Sequence, residues 1–331
     1  MIIPPKFEFT KEIALLLGQL EANRVIIDSL SVPEAIERNF RRSSILGSSL
    51  FSARIEGNTL LESDISDFRD LTSQEKNKIE VANLVRVFEY LLEHHKTPRP
   101  ITKDEILHWH QMAMENILAG EYLGVFRTGH EGVFDVAGNL IYHAPPPAQV
   151  NGLIDQLLAY ANQKDNESPP IQAIFSHLVF EKIHPFVDGS GLVGRLLQSA
   201  ILSNFGYAMK GLVVVEREID TQKQHYYRAI ESNDPTQFLQ LMLELLVTAS
   251  EKAKDKILGA QKYQKEDSLA PRRREILEIV RDHQMVSFDF LHRRFMNINP
   301  RLLAYDLKFL IDHGHINKIG KTRGALYSPK P

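Results

Sequence analysis

The sequence contains no cysteine, which excludes disulfide bonds, thiolate nucleophiles and zinc sites built on sulfur. No apolar run approaches the roughly 20 residues that a membrane-spanning helix needs. The N-terminal stretch MIIPPKFEFTKEIA also lacks the basic and then apolar segments of a secretion signal. We therefore expect a cytoplasmic protein with no membrane partner.

The net charge of the whole chain is small, but the charge is distributed unevenly along it. The 331 residues contain 39 Lys and Arg against 42 Asp and Glu, a net charge of -3. Residues 271–331 alone have 12 basic and 6 acidic residues, a balance of +6, which leaves -9 for residues 1–270. The length predicts two or three domains. The polar stretch 261–270 fits a linker or a frayed helix end, and we place a domain boundary there.

Residues 1–270 have the apolar spacing of helices. Thr102 followed by Glu105 resembles a capping box at the start of a helix, and Ser168 with two prolines precedes another. Between these helices, residues 121–147 contain glycines, alternating apolar residues and a final run of three prolines. This pattern predicts a β-hairpin.

The segment His184 to Arg195 reads HPFVDGSGLVGR and lies between two apolar helices. A glycine turn that leads into a helix presents free N–H groups, which can bind a phosphate or another anion. Asp188 could hold a divalent metal, and His184 could act as a general base near neutral pH. Arg195 can point back toward the anion. The alternative is a turn that merely caps a helix.

The order of these residues resembles the signature of the Fic family of AMP transferases, commonly HPF-x-[DE]-GN-[GK]-R-xx-R. The resemblance implies that His184 deprotonates a Ser, Thr or Tyr hydroxyl of a protein target, which then attacks the α-phosphate of ATP. It also implies that Asp188 coordinates Mg²⁺ and that Arg195 contacts the terminal phosphate. The anion-binding turn would consist of Gly189, Ser190 and Gly191.

Two positions depart from the family pattern. Ser190 replaces the family's asparagine, and its hydroxyl could still donate one hydrogen bond to a phosphate oxygen. Leu192 replaces the first arginine and cannot donate, which removes a contact worth about 1.5–3 kcal/mol. We therefore expect activity that is weak, altered in the transferred group or absent as readily as full activity.

Upstream, residues 52–58 read SARIEGN and resemble the family's inhibitory motif. Ser52 and Glu56 would share one face of a helix that Gly57 ends. The resemblance implies that Glu56 pairs with Arg195 and blocks the productive pose of ATP. The alternative is a surface glutamate before the end of a helix.

Other segments resemble the surroundings of a Fic site. Gly124, Phe126 and Arg127, with Pro145 to Pro147, look like the frame of the family's target-binding flap. The target-facing strand would comprise Leu140, Ile141, Tyr142 and His143, although an ordinary surface hairpin is an alternative. The adenine pocket would involve Tyr226, Tyr227 and Asn233, although tyrosines on helices are more often core residues. We interpret His94, His95, His108 and His110 as solvated or core residues.

The basic tail has the pattern of three helices followed by two short strands, which resembles a winged helix-turn-helix domain. The third helix would enter the major groove of DNA. The basic residues that would contact DNA are Arg301, Lys308, Lys318, Lys321 and Arg323. A role in protein contacts is the alternative. We expect Leu302, Tyr305, Leu307 and Leu310 to form the core of this domain.

We therefore expect a mainly α protein: a Fic-type helical bundle with a β-hairpin flap, plus a C-terminal winged helix-turn-helix domain. The predicted boundaries are 1–97 for an N-terminal helical region, 98–260 for the Fic core and 271–331 for the winged helix. The leading hypothesis is an autoinhibited protein adenylyltransferase that uses ATP and Mg²⁺. Its target could be the chain itself. The alternative is a DNA-binding regulator with a degenerate Fic domain that senses a nucleotide, and a homodimer remains open.

Overall fold

The computed structural model describes residues 2–65, 71, 75–95, 97–134, 140–164, 168–267, 269–296, 298–320 and 324–330. At 133–134, 140–141 and 261–267 the description is limited to the backbone. The chain divides into two compact units, Met1–Ile257 and Leu258–Pro331. Across the described ranges, every helix is too short or too polar to cross a membrane.

The first unit is built from helices and one β-hairpin. The helices are α1 (Lys11–Ser29), α2 (Glu34–Ile55), α3 (Lys76–His94), α4 (Lys103–Met114), α5 (Pro147–Ala161), α6 (Pro169–Ile183), α7 (Ser190–Asn204), α8 (Val215–Thr221), α9 (Lys223–Glu231) and the part of α10 (Pro235–Asp267) that ends at Ile257. The hairpin pairs β1 (Gly132–Phe134) antiparallel with β2 (Leu140–His143). Its presence confirms the hairpin prediction.

Local sequence signals fix the start of two helices that frame the site. At α4, the Thr102 hydroxyl accepts the N–H of Glu105 at 3.3 Å, and Glu105 Oε2 accepts the N–H of Thr102 at 3.0 Å. This is the predicted capping box, and the structure confirms it. At α6 the first residue is Pro169, whose missing N–H would have no acceptor in the first turn of a helix.

Helix α6 lies at the centre of the first unit. Its apolar residues are distributed around the whole helix, and nearly all of them, from Pro170 to Ile183, are buried. A helix that is apolar on every side is typical of a core position. Helix α7 packs closely against it and is almost as buried. The turn between them, residues 184–189, is therefore fixed at both ends by the most buried helices of the unit.

The second unit contains α11 (Pro271–His283), α12 (Phe288–Arg294), α13 (Pro300–Asp312), β3 (Val286–Ser287), β4 (Ile316–Ile319) and β5 (Leu326–Pro329). The strands form an antiparallel sheet in the order β3-β5-β4. The predicted three helices and two strands are present, while β3 was not predicted. The backbone of residues 261–267 continues α10, which agrees with the helical interpretation of that stretch.

The expected core of the second unit was partly wrong. Leu307 and Leu310 are buried, but Leu302 is 47% exposed and Tyr305 is 60% exposed. The buried residues of α13 are instead Leu303, Asp306, Leu307 and Leu310, which recur at the three- and four-residue spacing of one helix face. Among the basic residues proposed for DNA, Arg301, Lys308 and Lys318 are exposed. Lys321 and Arg323 lie outside the described residues.

Asp306 is a buried carboxylate that links two helices of the second unit. It is 1% exposed, and it accepts hydrogen bonds from Arg272 Nε at 2.5 Å and Arg273 Nε at 2.8 Å. Burial opposes its charge, but the two arginines outweigh burial and lower the pKa of Asp306. The pKa of Asp306 is therefore lower in the folded than in the unfolded chain. Its ion pairs contribute to the stability of the fold in full above the unfolded pKa, and this stabilisation is lost as the pH falls through the folded pKa.

We expect Asp306→Asn to lower the free energy of unfolding of the second unit by about 1–3 kcal/mol, because the amide accepts only one of the two charged hydrogen bonds. The difference from wild type should stay constant from pH 7 to about pH 5 and shrink below about pH 4, where the unfolded carboxyl protonates. Chemical denaturation of the full chain across this range measures it. The matched control is Asp312→Asn, an exposed residue of the same helix. Equal midpoints for the two variants would contradict the prediction.

Candidate active site

The turn between α6 and α7 has two residues in the left-handed backbone region. His184 ends α6 with φ of 46°, and its N–H donates to the Phe180 carbonyl at 2.9 Å. Gly189 has φ of 80°. A side chain at Gly189 would also collide with Met114 Sδ, so only glycine fits there. These two conformations bring His184 and the start of α7 to the same turn.

The N-terminus of α7 presents backbone donors. Ser190, Gly191 and Leu192 occupy its first turn, where N–H groups have no acceptor within a helix. Gly189 precedes them and has no side chain that could cap them. Such a terminus also has the positive end of the helix dipole and favours an anion.

The carboxylate of Glu56 lies at this helix terminus. A Cβ built on Gly191 would collide with Glu56 Oε1, so the carboxylate lies directly against the Gly191 backbone. Glu56 follows the last residue of α2, and Gly57 has φ of 105°, which confirms that the helix ends at the predicted glycine. The chain therefore places one of its own anions where the first turn of α7 favours one.

Arg195 holds the end of α2 against α7. Its Nε donates to Ser52 Oγ at 2.9 Å, and its Nη2 donates to the Ser52 carbonyl at 3.0 Å and to Glu56 Oε1 at 2.8 Å. The side chain is 2% exposed. Burial opposes its charge, but the Glu56 and Glu181 carboxylates, together with Tyr226 and Tyr227, outweigh burial and raise the pKa of Arg195. Ser52, Glu56 and Arg195, the three residues named in the sequence motifs, thus meet at the buried guanidinium group of Arg195.

Beside this pair lies a pocket of about 200 Å³ with three carboxylates in its lining, Glu56, Glu80 and Asp188. Burial raises the pKa of Glu80, and the charges of Glu56 and Asp188 raise it further. Asp188 is exposed, and its Oδ1 accepts the Gly189 N–H at 2.8 Å. Within the described part of the chain, no three His, Asp or Glu residues form a metal site by themselves.

Asp188 nevertheless fits the way in which proteins hold magnesium. Mg²⁺ usually keeps several waters and is bound by one or two carboxylates together with the phosphates of a substrate. An exposed carboxylate at the edge of the pocket, beside the N–H groups of α7, meets that requirement.

The two departures from the family signature are both buried. Ser190 is 1% exposed, and its hydroxyl accepts the Phe186 N–H at 3.1 Å and donates to the Phe186 carbonyl at 3.4 Å. In the structure this hydroxyl therefore closes the turn, and its hydrogen bond to a phosphate oxygen stays a prediction. The backbone N–H of Ser190 remains for an anion. Leu192 is also 1% exposed and lines the acidic pocket without a donor.

The residues expected around adenine are placed differently from one another. Tyr226 is 1% exposed, and its hydroxyl lies 2.9 Å from His177 Nε2, so it is a core residue and its assignment to the nucleotide is corrected. Tyr227 is half-buried and donates to the Ile55 carbonyl at 2.8 Å, at the end of α2. Asn233 is exposed.

The match to known proteins covers the site. Residues 100–202 match the family model of the Fic/DOC family. The chain contains a Fic/DOC domain. It is 22% identical over 239 residues to the protein adenylyltransferase Fic of Drosophila willistoni, a match that covers 69% of this chain and 45% of that relative. A probable protein adenylyltransferase of Aquifex aeolicus is 38% identical over 65 residues, 20% of each chain. The chain thus spans about half the length of the Drosophila relative.

Solved structures give the same fold. A Fic family protein from Desulfovibrio desulfuricans G20 has a TM-score of 0.65 at 22% identity, over 98% of both chains. Fic-1 from C. elegans, residues 134–508, has a TM-score of 0.60 at 20% identity, over 76% of this chain and 73% of that one. At these identities the similarity concerns the fold.

The Fic domain contains a buried histidine that the sequence analysis left among the core residues. His110 Nδ1 accepts the Gly124 N–H at 3.0 Å, and Nε2 lies 3.0 Å from the Asp188 carbonyl. The ring stacks on Phe186 at 3.8 Å, and burial lowers the pKa of His110, which favours the neutral ring. His110 lies in the apolar stripe of α4, between Ile106 and Ala113. A histidine in this apolar stripe is the sequence feature that indicates a buried polar residue in contact with the turn.

Arg127 links the hairpin region to the turn between α6 and α7. It is 3% exposed and donates to the carbonyls of His184 at 2.7 Å, Gly129 at 2.8 Å and Pro145 at 2.6 Å. Of the predicted frame residues, Arg127 and Pro145 therefore contact each other directly, and the planar guanidinium group of Arg127 serves several acceptors at once.

We expect Arg127→Lys to lower the free energy of unfolding by about 2–4 kcal/mol, because an ammonium group cannot reach all three carbonyls and each unpaired buried group costs about 1–3 kcal/mol. Chemical denaturation measures the change, and limited proteolysis should show earlier cleavage within 128–145. The control is Arg86→Lys, a half-exposed arginine. If both variants unfold at the wild-type midpoint, Arg127 does not anchor the hairpin.

Proposed function

We propose that the chain is an autoinhibited protein adenylyltransferase, which transfers AMP from ATP to a Ser, Thr or Tyr hydroxyl of a protein target. The observation that carries the proposal is the carboxylate of Glu56, which lies at the anion-favouring terminus of α7 and pairs with the buried Arg195. The similarity to proteins named adenylyltransferases supports the reaction class.

The proposed reaction is a substitution at the α-phosphorus. His184 takes the proton of the target hydroxyl, whose oxygen forms a bond to phosphorus while the bond to pyrophosphate breaks. The N–H groups of Ser190 and Gly191 and the guanidinium of Arg195 stabilise the phosphate oxygens as charge develops on them. Asp188 would hold Mg²⁺, which neutralises the polyphosphate when it is bound.

The proposal also assigns roles to the hairpin flap and to the residues around the nucleotide. A target segment would add as a strand beside Leu140–His143, whose backbone forms β2. Tyr227 and Asn233 would contact the nucleotide base. The buried Leu192 leaves the polyphosphate one charged contact short, so we expect nucleotide affinity or rate to be roughly one to two decades below that of a site with arginine there.

Labelled ATP separates this reaction from its alternatives. The Glu56→Gly variant, Mg²⁺ and a lysate are incubated with ATP labelled at the α-phosphate and, in parallel, at the γ-phosphate. We expect label on protein from the α-position and none from the γ-position. Absence of α-label, together with absence of ATP binding by calorimetry, would overturn the proposal. Transfer of γ-label would indicate a kinase reaction instead.

A second candidate function is DNA binding by a winged helix in the second unit. The specific observation that favours it is the exposure of Arg301 and Lys308 on α13 and of Lys318 on β4, in a segment with a balance of +6. We propose affinity for duplex DNA that falls steeply between 50 and 200 mM salt, roughly as expected for a few phosphate contacts. Fluorescence anisotropy of wild type and Arg301→Ala/Lys318→Ala tests it. Binding that is undetectable or insensitive to salt would contradict it.

A further inference from the structure

A second cavity lies in the first unit and shares none of the residues that line the acidic pocket. It is enclosed by α2, α3, α7 and the segment 207–216, and it has a volume of about 90 Å³. A groove of about 610 Å³ adjoins it and has Ile45, Leu92 and Met209 in common with it. The shared residues lie where the groove borders the inner cavity.

The inner cavity is mainly apolar but contains one acidic group. Its apolar lining includes Phe88, Leu91 and Leu246. Its acidic residue is Glu216, which is 1% exposed and accepts a hydrogen bond from Ser48 Oγ at 2.7 Å. In the part of the chain that the structure describes, Glu216 has no ion-pair partner. A largely apolar pocket with a few convergent polar groups is the usual form of a small-molecule site.

The environment of Glu216 indicates the ligand's charge. Burial raises the pKa of Glu216, and the Ser48 hydrogen bond, a backbone hydrogen bond of Glu216 itself and the charge of Arg195 only partly offset this effect. A buried carboxyl group without a directly paired cation is costly, because a few hydrogen bonds and an apolar wall do not fully replace its hydration. A ligand ammonium group would supply the missing positive charge and a strong hydrogen-bond donor.

One wall of the cavity is a strained turn. Met209, Lys210 and Gly211 have consecutive φ values of 43°, 57° and 71°, and such residues other than glycine cost about 1–3 kcal/mol each. The turn is held by Arg41 Nε, which donates to the Lys210 carbonyl at 3.1 Å, and by Lys210 Nζ, which donates to the Leu30 carbonyl. Strained backbone of this kind is concentrated at ligand-binding and switch regions.

We infer that this cavity binds a small amphipathic amine, whose ammonium group pairs with Glu216 and whose apolar body packs between Phe88 and Leu246. At about 10–15 Å³ for each water-sized probe, 90 Å³ corresponds to a ligand of roughly six to nine non-hydrogen atoms. The site is separate from the proposed nucleotide site, and its existence does not depend on AMP transfer.

The cavity also borders the helix that carries Glu56. Ser48 and Ser44 line the cavity, one and two turns before Ser52 respectively, on the same face of α2. Ser44 Oγ donates to the Leu212 carbonyl at 3.2 Å. A molecule that binds Glu216 would therefore touch the face of α2 that carries Ser44 and Ser48. Any effect of this binding on the nucleotide site rests on the proposed function.

Phenethylamine and 2-phenylethanol are suitable probes, because they have nine non-hydrogen atoms each and differ in the charged group. We expect calorimetry on the wild-type chain at pH 7 to give at least about ten-fold tighter binding of the amine, the effect of one charge-assisted hydrogen bond. In Glu216→Gln the preference should disappear, while the side chain keeps its size and its contact with Ser48. In Ser199→Phe, which fills the cavity, both probes should lose binding.

The outcomes that would overturn the inference are defined in the same experiment. They are equal binding of the two probes by the wild type, an unchanged preference in Glu216→Gln, or no binding of either probe. Glu12→Gln, at an exposed residue of α1, controls for general attraction of amines to an acidic surface. A thermal melt of each variant without ligand establishes that it is folded. None of these measurements includes ATP, so their result is independent of the test of AMP transfer.

Discussion

Replacing His184 with asparagine is expected to reduce AMP transfer by roughly 10²–10⁴-fold, the usual contribution of a general base. Asparagine is the sharpest choice, because it tolerates the left-handed backbone that His184 adopts at the end of α6. It cannot take a proton near neutral pH. The backbone contacts of residue 184 with Phe180 and Arg127 are kept.

The measurement is the initial rate of α-label incorporation with wild type, His184→Asn and His94→Ala. His94 is an exposed histidine of α3 and is the control for loss of an imidazole elsewhere. ATP affinity by calorimetry should change less than the rate, since the proposed role of His184 is in the transfer step. An asparagine variant that transfers AMP at the wild-type rate would exclude His184 as the base.

Replacing Glu56 with glycine is expected to raise the rate of AMP transfer by roughly 10- to 100-fold. The carboxylate forms a charge-assisted hydrogen bond with Arg195, and such a bond contributes about 1.5–3 kcal/mol, where about 1.4 kcal/mol is a factor of ten. Its removal frees both the guanidinium group and the space over Gly191. Glu56→Gln, which keeps the size but removes the charge, should give an intermediate rate.

Stability measurements separate inhibition from a structural role of Glu56. Without the carboxylate, the buried Arg195 loses its ionic partner, so Glu56→Gly should melt below the wild type in the absence of ligand. ATP should then raise the melting temperature of the variant more than that of the wild type, because the anion site is open. Glu62→Gln, at an exposed glutamate shortly after α2, is the control. Unchanged rates together with unchanged stabilisation by ATP would refute the inhibitory role.

The parts of the molecule that the sequence predicted correctly depend on local signals. The capping box of Thr102 and Glu105, the hairpin and the end of α2 at Gly57 each follow from residues a few positions apart. Their conformations are set by backbone preferences and short-range hydrogen bonds. For the same reason the contiguous segment from His184 to Arg195 could be identified as one turn.

The parts that were missed depend on contacts between distant segments. Ser190 uses its hydroxyl within the turn, and Tyr226 reaches His177 from a helix 49 residues further along the chain. The orientation of α13 places Tyr305 in solvent because Asp306 is drawn inward by two arginines. The spacing of residues along the sequence does not predict these partners, because the same spacing is also compatible with the contacts that we expected for each side chain.

Helix α2 connects the cavity to Arg195. Ser44, Ser48 and Ser52 lie on one face of the helix, and Glu56 follows its last residue. The four residues are spaced by four and span about 18 Å, and their partners are Leu212, Glu216 and Arg195. A rotation of α2 as a rigid helix would break the contacts of Ser44, Ser48 and Ser52 together with the Glu56 ion pair. Release of Arg195 by such a rotation would therefore also open the contacts of α2 with Leu212 and Glu216.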